Sequence, residues 1–286
     1  MSSQPNRPTD RPAPQLIDRA ALAQHRARAR RSDDLRRALF LHEAARDEAQ
    51  DRLMMVNREF KSPAIVTPYP EVWQGLLPGA KIIPDDDVLD LEVGAHDLVI
   101  HALALHWAND PVGQLIQCRR ALSADGLNIT LAFGGETLAE LRAALGQAEI
   151  EISGGLSPRV LPMGEIRDLG ALLQRAGLAL PVADSLPLDV SYSSALHLMR
   201  DLRSMGESNA LGARLRRPTR RAVLLRAAEI YAETYAREDG RLRATFELVT
   251  LTGWAPDESQ QKPLRPGSAA HRLADALGAR ETPLKD

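Results

Sequence analysis

The chain has 286 residues, 44% hydrophobic and 26% charged, which is enough apolar material for a globular core and argues against a disordered or fibrous class. A net charge of −2 supplies no overall attraction to nucleic acid or an anionic membrane, and the single cysteine, Cys118, excludes an internal disulfide and a cysteine-rich metal cluster. No apolar run approaches the roughly 20 residues of a membrane helix and the N-terminus lacks a signal-peptide core, so a cytoplasmic protein without a transmembrane segment is expected.

Residues 1–15 are polar, Pro-rich and aperiodic, and read as a disordered leader. Residues 16–60 carry a helical pattern and read as an N-terminal arm preceding an α/β domain over 61–286. Residues 19–37 hold seven Arg against Asp33 and Asp34, with Leu35, Leu39 and Leu53 on an apolar face continuing to Val56. Such a charge run is ordinarily a solvated helix face; docking on an acidic partner is the alternative.

Four prolines in residues 63–80 rule out a long helix there and leave a short strand at Ala64–Val66, and Lys81–Ile83 forms another before Asp85, Asp86 and Asp87. Asp97–Leu105 is a nearly continuous apolar run, as in a parallel strand buried on both faces. Asp110 and Pro111 make an N-cap and first helical residue, and the helix carries Val112, Leu115, Ile116 and Leu122 to a stop at Asp125-Gly126. Leu127–Phe133 is the next strand, followed by a helix over Thr137–Ile150. Strand, helix, strand and helix at this spacing predict a parallel sheet. Gly164–Gly177 predicts a helix closed by Gly177, Leu186–Val190 a strand, and Ala195–Met205 and Pro218–Arg237 two helices of an insertion spanning about 195–240. Thr245–Trp254 alternates as a strand near the sheet edge, and His271–Leu277 closes the chain as a short helix.

The run from His96 to Arg142 resembles the fourth strand, helix and fifth strand of class I methyltransferases. LHWANDP, FGGETLAELRAAL, GGLSPRV, MRDLRSMGESNAL and QQKPLRPGSA are, in that order, similar to the complex I assembly factor 5-like family, relatives of the malonyl-carrier-protein methyltransferases. The resemblance covers about residues 16–277. It implies a Rossmann-like, mostly parallel sheet and, as in most of the superfamily, S-adenosylmethionine as cofactor. The assembly factor is associated with hydroxylating an arginine on a quinone-module subunit of NADH:quinone oxidoreductase, so a complex I subunit is the implied partner.

The sequence departs from that family where the cofactor would sit. It contains no G-x-G, and only 20 residues separate Phe60 from Lys81, where one βαβ crossover takes about 30. The sheet is therefore expected to be trimmed in its first half, and S-adenosylmethionine to be held weakly or not at all. Glu71 is the carboxylate nearest the place of a ribose clamp. What remains of a cofactor wall is Asp86 and Asp87, where superfamily members place an acid against the adenine amine, with His101, Leu103, His106 and Trp107 at the end of the fourth strand. Three adjacent aspartates are more often a solvated turn. His101 and His106 differ by an odd number and face opposite ways along a regular strand, so they share a pocket only if the strand ends between them.

No H-E-x-x-H, paired-cysteine or P-loop motif is present, and no metal is expected. Ser157 lies outside any nucleophile elbow, and Cys118 reads as a buried, inert thiol. Residues 214–226 hold six Arg and no acid, an exposed helix start or a dock for an acidic protein surface; without interleaved aromatics, nucleic acid is disfavoured. Candidate partner-binding residues are Gly206, Glu207, Ser208 and Asn209 after a helix end, Arg216, Arg217, Arg220 and Arg221 in the basic run, and Arg265 and Ser268 in a Pro-ordered turn. Three functions remain open: an accessory protein of complex I biogenesis, an active methyltransferase, or a non-catalytic scaffold.

Overall fold

The structure, a computed structural model, describes residues 15–261. The chain divides into one unit to Pro256 and a second from Asp257 to Asp286; every element below belongs to the first. In the second unit, Asp257 accepts hydrogen bonds from the backbone and hydroxyl of Ser259. The expected leader, closing helix and the residues Arg265 and Ser268 lie outside the described residues, apart from Gln15 at the leader's end.

The N-terminal pattern resolves into three helices, α1 (Arg19–Ala29), α2 (Leu35–Ala38) and α3 (Phe40–Val56), rather than one continuous face. There follow β1 (Pro63–Val66), α4 (Pro70–Trp73), β2 (Lys81–Ile83), β3 (His96–Ala102), a 3₁₀ turn over Leu105–Trp107, α5 (Pro111–Ala121) and β4 (Leu122–Phe133). The remainder is α6 (Ala139–Ser153), α7 (Ile166–Arg175), β5 (Ala179–Tyr192), α8 (Ala195–Ser204), α9 (Arg221–Tyr235) and β6 (Leu242–Trp254).

The six strands form one sheet in the order β2-β1-β3-β4-β6-β5. The first four are parallel, and β6 runs antiparallel to both β4 and β5. The sheet is mostly parallel and Rossmann-like, as expected, with its first half short. Residues 67–80 link β1 to β2 through the one-turn α4 alone, anchored by the fully buried Tyr69 and Trp73.

Alternation along the strands divides the core. Ile65, Leu98, Ile100, Ile129 and Leu131 face α3, α6, α8 and α9, while Val66, Val99, Val249 and Leu251 face α5 and α7. Both faces are covered, which is why β3 and β4 read as continuous apolar runs. Asp110 caps α5 as the sequence predicts, accepting from the Gly113 N–H at 2.8 Å. The helix ends at Ala121 instead of Asp125-Gly126, because Leu122 already pairs with His96 in the sheet; Asp125, at φ 57°, is a turn inside the β4 segment. Cys118 is fully buried, and burial pushes its thiol up to about 12.

Candidate functional site

The polypeptide turns sharply at the C-terminal end of β3. Leu103 adopts φ 47° while its N–H still bonds Leu131 O at 2.9 Å, and the 3₁₀ turn then projects His106 and Trp107. The sheet strand does end between His101 and His106, yet the two rings separate. His101 Nε2 donates to Gln114 Oε1 at 3.2 Å, and Gln114 donates onward to the carbonyls of Asp86 and Asp87. Burial depresses the His101 pKa.

Asn109 pins the N-terminal arm to this corner. Its side chain accepts from the Ile17 N–H at 2.9 Å and donates to Ile17 O at 3.1 Å. The Asp18 N–H bonds Ala210 O at 2.8 Å, so the arm also seats on the segment after α8. That segment is fixed by helix-stop chemistry. Gly206, at φ 81°, gives its N–H to Arg203 O, and the Glu207 N–H reaches Leu202 O at 2.8 Å, the paired bonds of a Schellman turn. A Cβ on Gly206 would lie 2.5 Å from the Tyr69 hydroxyl, so only glycine admits this packing.

The turn swings Glu207 inward, into a buried polar cluster assembled from distant elements. Arg26 of α1 places Nη1 2.8 Å from both carboxylate oxygens of Asp85, and Arg19 Nη1 lies 3.2 Å from the same carboxylate. The Tyr69 hydroxyl donates to Met205 O at 2.5 Å, and the His42 ring sits edge-on to Tyr69 at 4.8 Å. Trp107 Nε1 donates to Glu207 Oε2 at 2.6 Å; His106 Nε2 lies 3.6 Å from that oxygen. Glu207 Oε1 has no hydrogen-bond partner among the described residues.

Burial raises the Asp85 pKa, but the Arg26 and Arg19 charges outweigh it and hold the carboxyl below its ordinary value. Glu207 follows the same pattern: desolvation opposes its ionisation, while His106 and Arg26 keep it depressed and therefore ionised. His42 moves the other way for a base, since burial lowers it to about 4 and keeps it neutral.

The residues read as a cofactor wall have other partners or face solvent. The inward-facing carboxylate of the aspartate run, Asp85, is committed to two arginines, and the chain beyond β1 is closed by Tyr69 against Met205. Asp86 and Asp87 are exposed; the Asp87 carboxylate lies 3.6 Å from Arg19, and Glu71 faces solvent on α4. Among the described residues no group of three His, Cys, Asp or Glu is arranged to hold a metal ion.

Beside the cluster lies a mostly apolar cavity of about 460 Å³. Leu41, Phe133, Leu138, Leu141, Met163, Leu202 and Phe246 supply its apolar wall, and Trp107, Thr137, Arg159, Arg203, Glu207, Ser208, Asn209 and Thr219 its polar points. Arg159 is held by Glu149, with Nη2 to Oε1 at 2.6 Å, and by the Thr219 hydroxyl at 2.6 Å. Hydrogen bonds from Arg159 and Ser157 take the Glu149 pKa down to about 2. Asn209 donates to Pro158 O at 2.8 Å, fastening the two loops that form the rim.

Of the six residues read as a cofactor wall, only His106 and Trp107 reach the cluster. Leu103 is core, His101 lies behind the strand, and Asp86 and Asp87 face outward. Gly206, Glu207, Ser208 and Asn209 all lie at the cluster or cavity. Arg216, Arg217, Arg220 and Arg221 are exposed away from it, with Arg216 3.2 Å from Asp18. The buried face of α9 consists of Val223, Ala227, Ile230 and Tyr231, whereas Ala222 and Leu225 are exposed. Sequence reasoning missed Arg26, His42, Tyr69 and Arg159. The signal for Arg159 was its place in GGLSPRV; Arg26 had none that set it apart from its neighbours.

No family model matches the chain. It is 41% identical over 199 residues to the arginine-hydroxylase NDUFAF5, mitochondrial, of Danio rerio, covering 70% of this chain and 62% of that protein. The human protein of the same name is 40% identical over 193 residues, covering 68% and 56%. A malonyl-[acyl-carrier protein] O-methyltransferase of Laribacter hongkongensis is 35% identical over 188 residues, covering 66% and 61%. The chain thus spans less than two thirds of the length of these relatives. Their names agree with the resemblance carried by LHWANDP, GGLSPRV and MRDLRSMGESNAL.

Proposed function

We propose that this chain, a relative of the NDUFAF5 arginine-hydroxylases, is a methyltransferase-like accessory protein of respiratory complex I biogenesis that acts on an arginine of a subunit. One observation carries the reading. Segments scattered over a hundred residues of sequence, LHWANDP, FGGETLAELRAAL, GGLSPRV and MRDLRSMGESNAL, each contribute to the wall of the same cavity. These are four of the five segments that bear the family resemblance, and they surround the space where a substrate side chain would enter. In this reading S-adenosylmethionine binds weakly or not at all, because Arg26, Asp85 and Tyr69 occupy the end of the sheet where that cofactor would lie. The exposed Arg216, Arg217, Arg220 and Arg221 steer an acidic protein surface towards the molecule, since exposed charges act mainly on association rate.

Deleting the gene and measuring assembled complex I by native gel, with NADH:quinone reductase activity alongside, tests the proposal. The deletion is expected to lower both, and the wild-type gene to restore them. An undisturbed complex I in the deletion strain would overturn the function for this chain.

A further inference from the structure

Glu207 is an ionised carboxylate in an apolar wall, its side chain only 7% exposed. One oxygen is fixed by the Trp107 indole, and the other, Oε1, has no hydrogen-bond partner among the described residues. The nearest arginines have carboxylate partners of their own. Arg26 and Arg19 are matched by Asp85 and Asp87, and across the cavity Arg159 is matched by Glu149. Arg203, which also lines the cavity, is exposed, and Glu207 is the carboxylate of the wall with an unpartnered oxygen. A buried carboxylate with a free acceptor is costly unless a cation with N–H donors completes it.

We propose that Glu207 is the residue that holds the guanidinium of a single arginine side chain inserted into this cavity from a partner protein. The inference rests on the functional reading above and adds the group that selects the side chain. A planar guanidinium is weakly hydrated and presents a fork of N–H donors, so it loses less than an ammonium on entering an apolar space. Its aliphatic stem suits walls made of Phe133, Leu141, Leu202 and Phe246. A cavity of about 460 Å³ lies within the range of about 300–1,000 Å³ usual for ligand sites. Trp107 acts as a positioning residue, fixing the carboxylate through Oε2.

The test titrates the purified full-length chain with N-acetyl-arginine methylamide, and with the lysine and citrulline analogues, by calorimetry or ligand-observed NMR. The arginine compound should bind at least tenfold more tightly than either analogue. Glu207→Gln, which keeps the shape and removes the charge, should weaken it by tenfold or more at an unchanged melting temperature. Leu141→Trp, which fills the cavity and leaves Glu207 intact, should abolish binding and guards against a Gln variant that folds poorly. Equal binding of the three compounds, or undiminished binding to Glu207→Gln, would overturn the assignment. Undiminished binding to Glu207→Gln in a chain whose deletion impairs complex I would refute the role of Glu207 and leave the assembly function standing.

Discussion

Removing the Asp85 carboxylate should destabilise the protein far more than removing its neighbour. Arg26 is 5% exposed and Asp85 8%, so Asp85→Ala leaves a guanidinium buried without its counter-ion. Breaking such a pair from one side costs about 3–5 kcal/mol, whereas surface substitutions stay within about 0.5 kcal/mol. Arg19, 23% exposed, turns to water and adds little to the loss. For a chain of this size each kcal/mol is worth about 2–4 °C, so Asp85→Ala should melt roughly 6–20 °C lower than wild type. Asp86→Ala, altering an exposed side chain of the same run, should melt with the parent. The double variant Arg26→Met/Asp85→Leu should recover most of the loss, because an apolar pair removes the stranded charge. Urea unfolding followed by the fluorescence of the buried Trp73 and Trp107 reads all three. Asp85→Ala and Asp86→Ala with coincident transitions would refute the placement of Asp85 in the cluster.

Three further outcomes follow from the same structure. Val99→Asp should abolish folding, since Val99 is fully buried in the centre of β3 and the new carboxylate has no partner; a soluble variant with an unchanged melting temperature would show the strand misplaced. Reversing Arg216, Arg217, Arg220 and Arg221 to Glu should leave the fold intact, with Arg214 still on Asp18 at 2.9 Å, and reduce co-purification with complex I subunits in a salt-dependent way; full rescue of a deletion strain by this variant would move the docking surface elsewhere. His42, held to about 4 in the fold, stays neutral where an unfolded histidine takes up a proton near pH 6.5. Stability is therefore complete above that pH and falls as the pH drops from 6.5 towards 4, by on the order of 3 kcal/mol. Urea midpoints across that range should slope less in His42→Leu than in the parent, and identical slopes would count against the burial of the neutral ring.

Much of the fold was legible because its signals are local. The apolar runs of β3 and β4, Asp110-Pro111 at the start of α5 and Gly177 beyond α7 each depend on a few adjacent residues. β6 illustrates a mixed case. Leu242–Glu247 pairs with the edge strand β5 but not with β4 and alternates in burial, whereas Leu248–Trp254 lies between β4 and β5. The alternating first half gives a strand near the edge its appearance. The site was legible only in part, because its partners meet across long separations. Asp85, Asp86 and Asp87 are chemically equivalent in sequence, and which one turns inward is decided by Arg26, 59 positions away. Arg26 in turn is one of seven arginines in residues 19–37, separated from the others only by the face of α1 that meets Tyr69 and Gly206. Glu207 was marked by its place after a helix end, but its inward turn comes from the Schellman geometry and the tight packing of Gly206.

The central proposal is that the chain's own side chains take the place of the cofactor. Calorimetric titration of the purified protein with S-adenosylmethionine tests it most directly. With Asp85 engaged by Arg26 and Arg19 and no glycine-rich loop to approach the ligand, the dissociation constant should be weaker than roughly 100 μM, a binding free energy under about 5.5 kcal/mol. Low-micromolar binding would contradict it, and would mean that the Arg26–Asp85 cluster opens to admit the cofactor of an active methyltransferase.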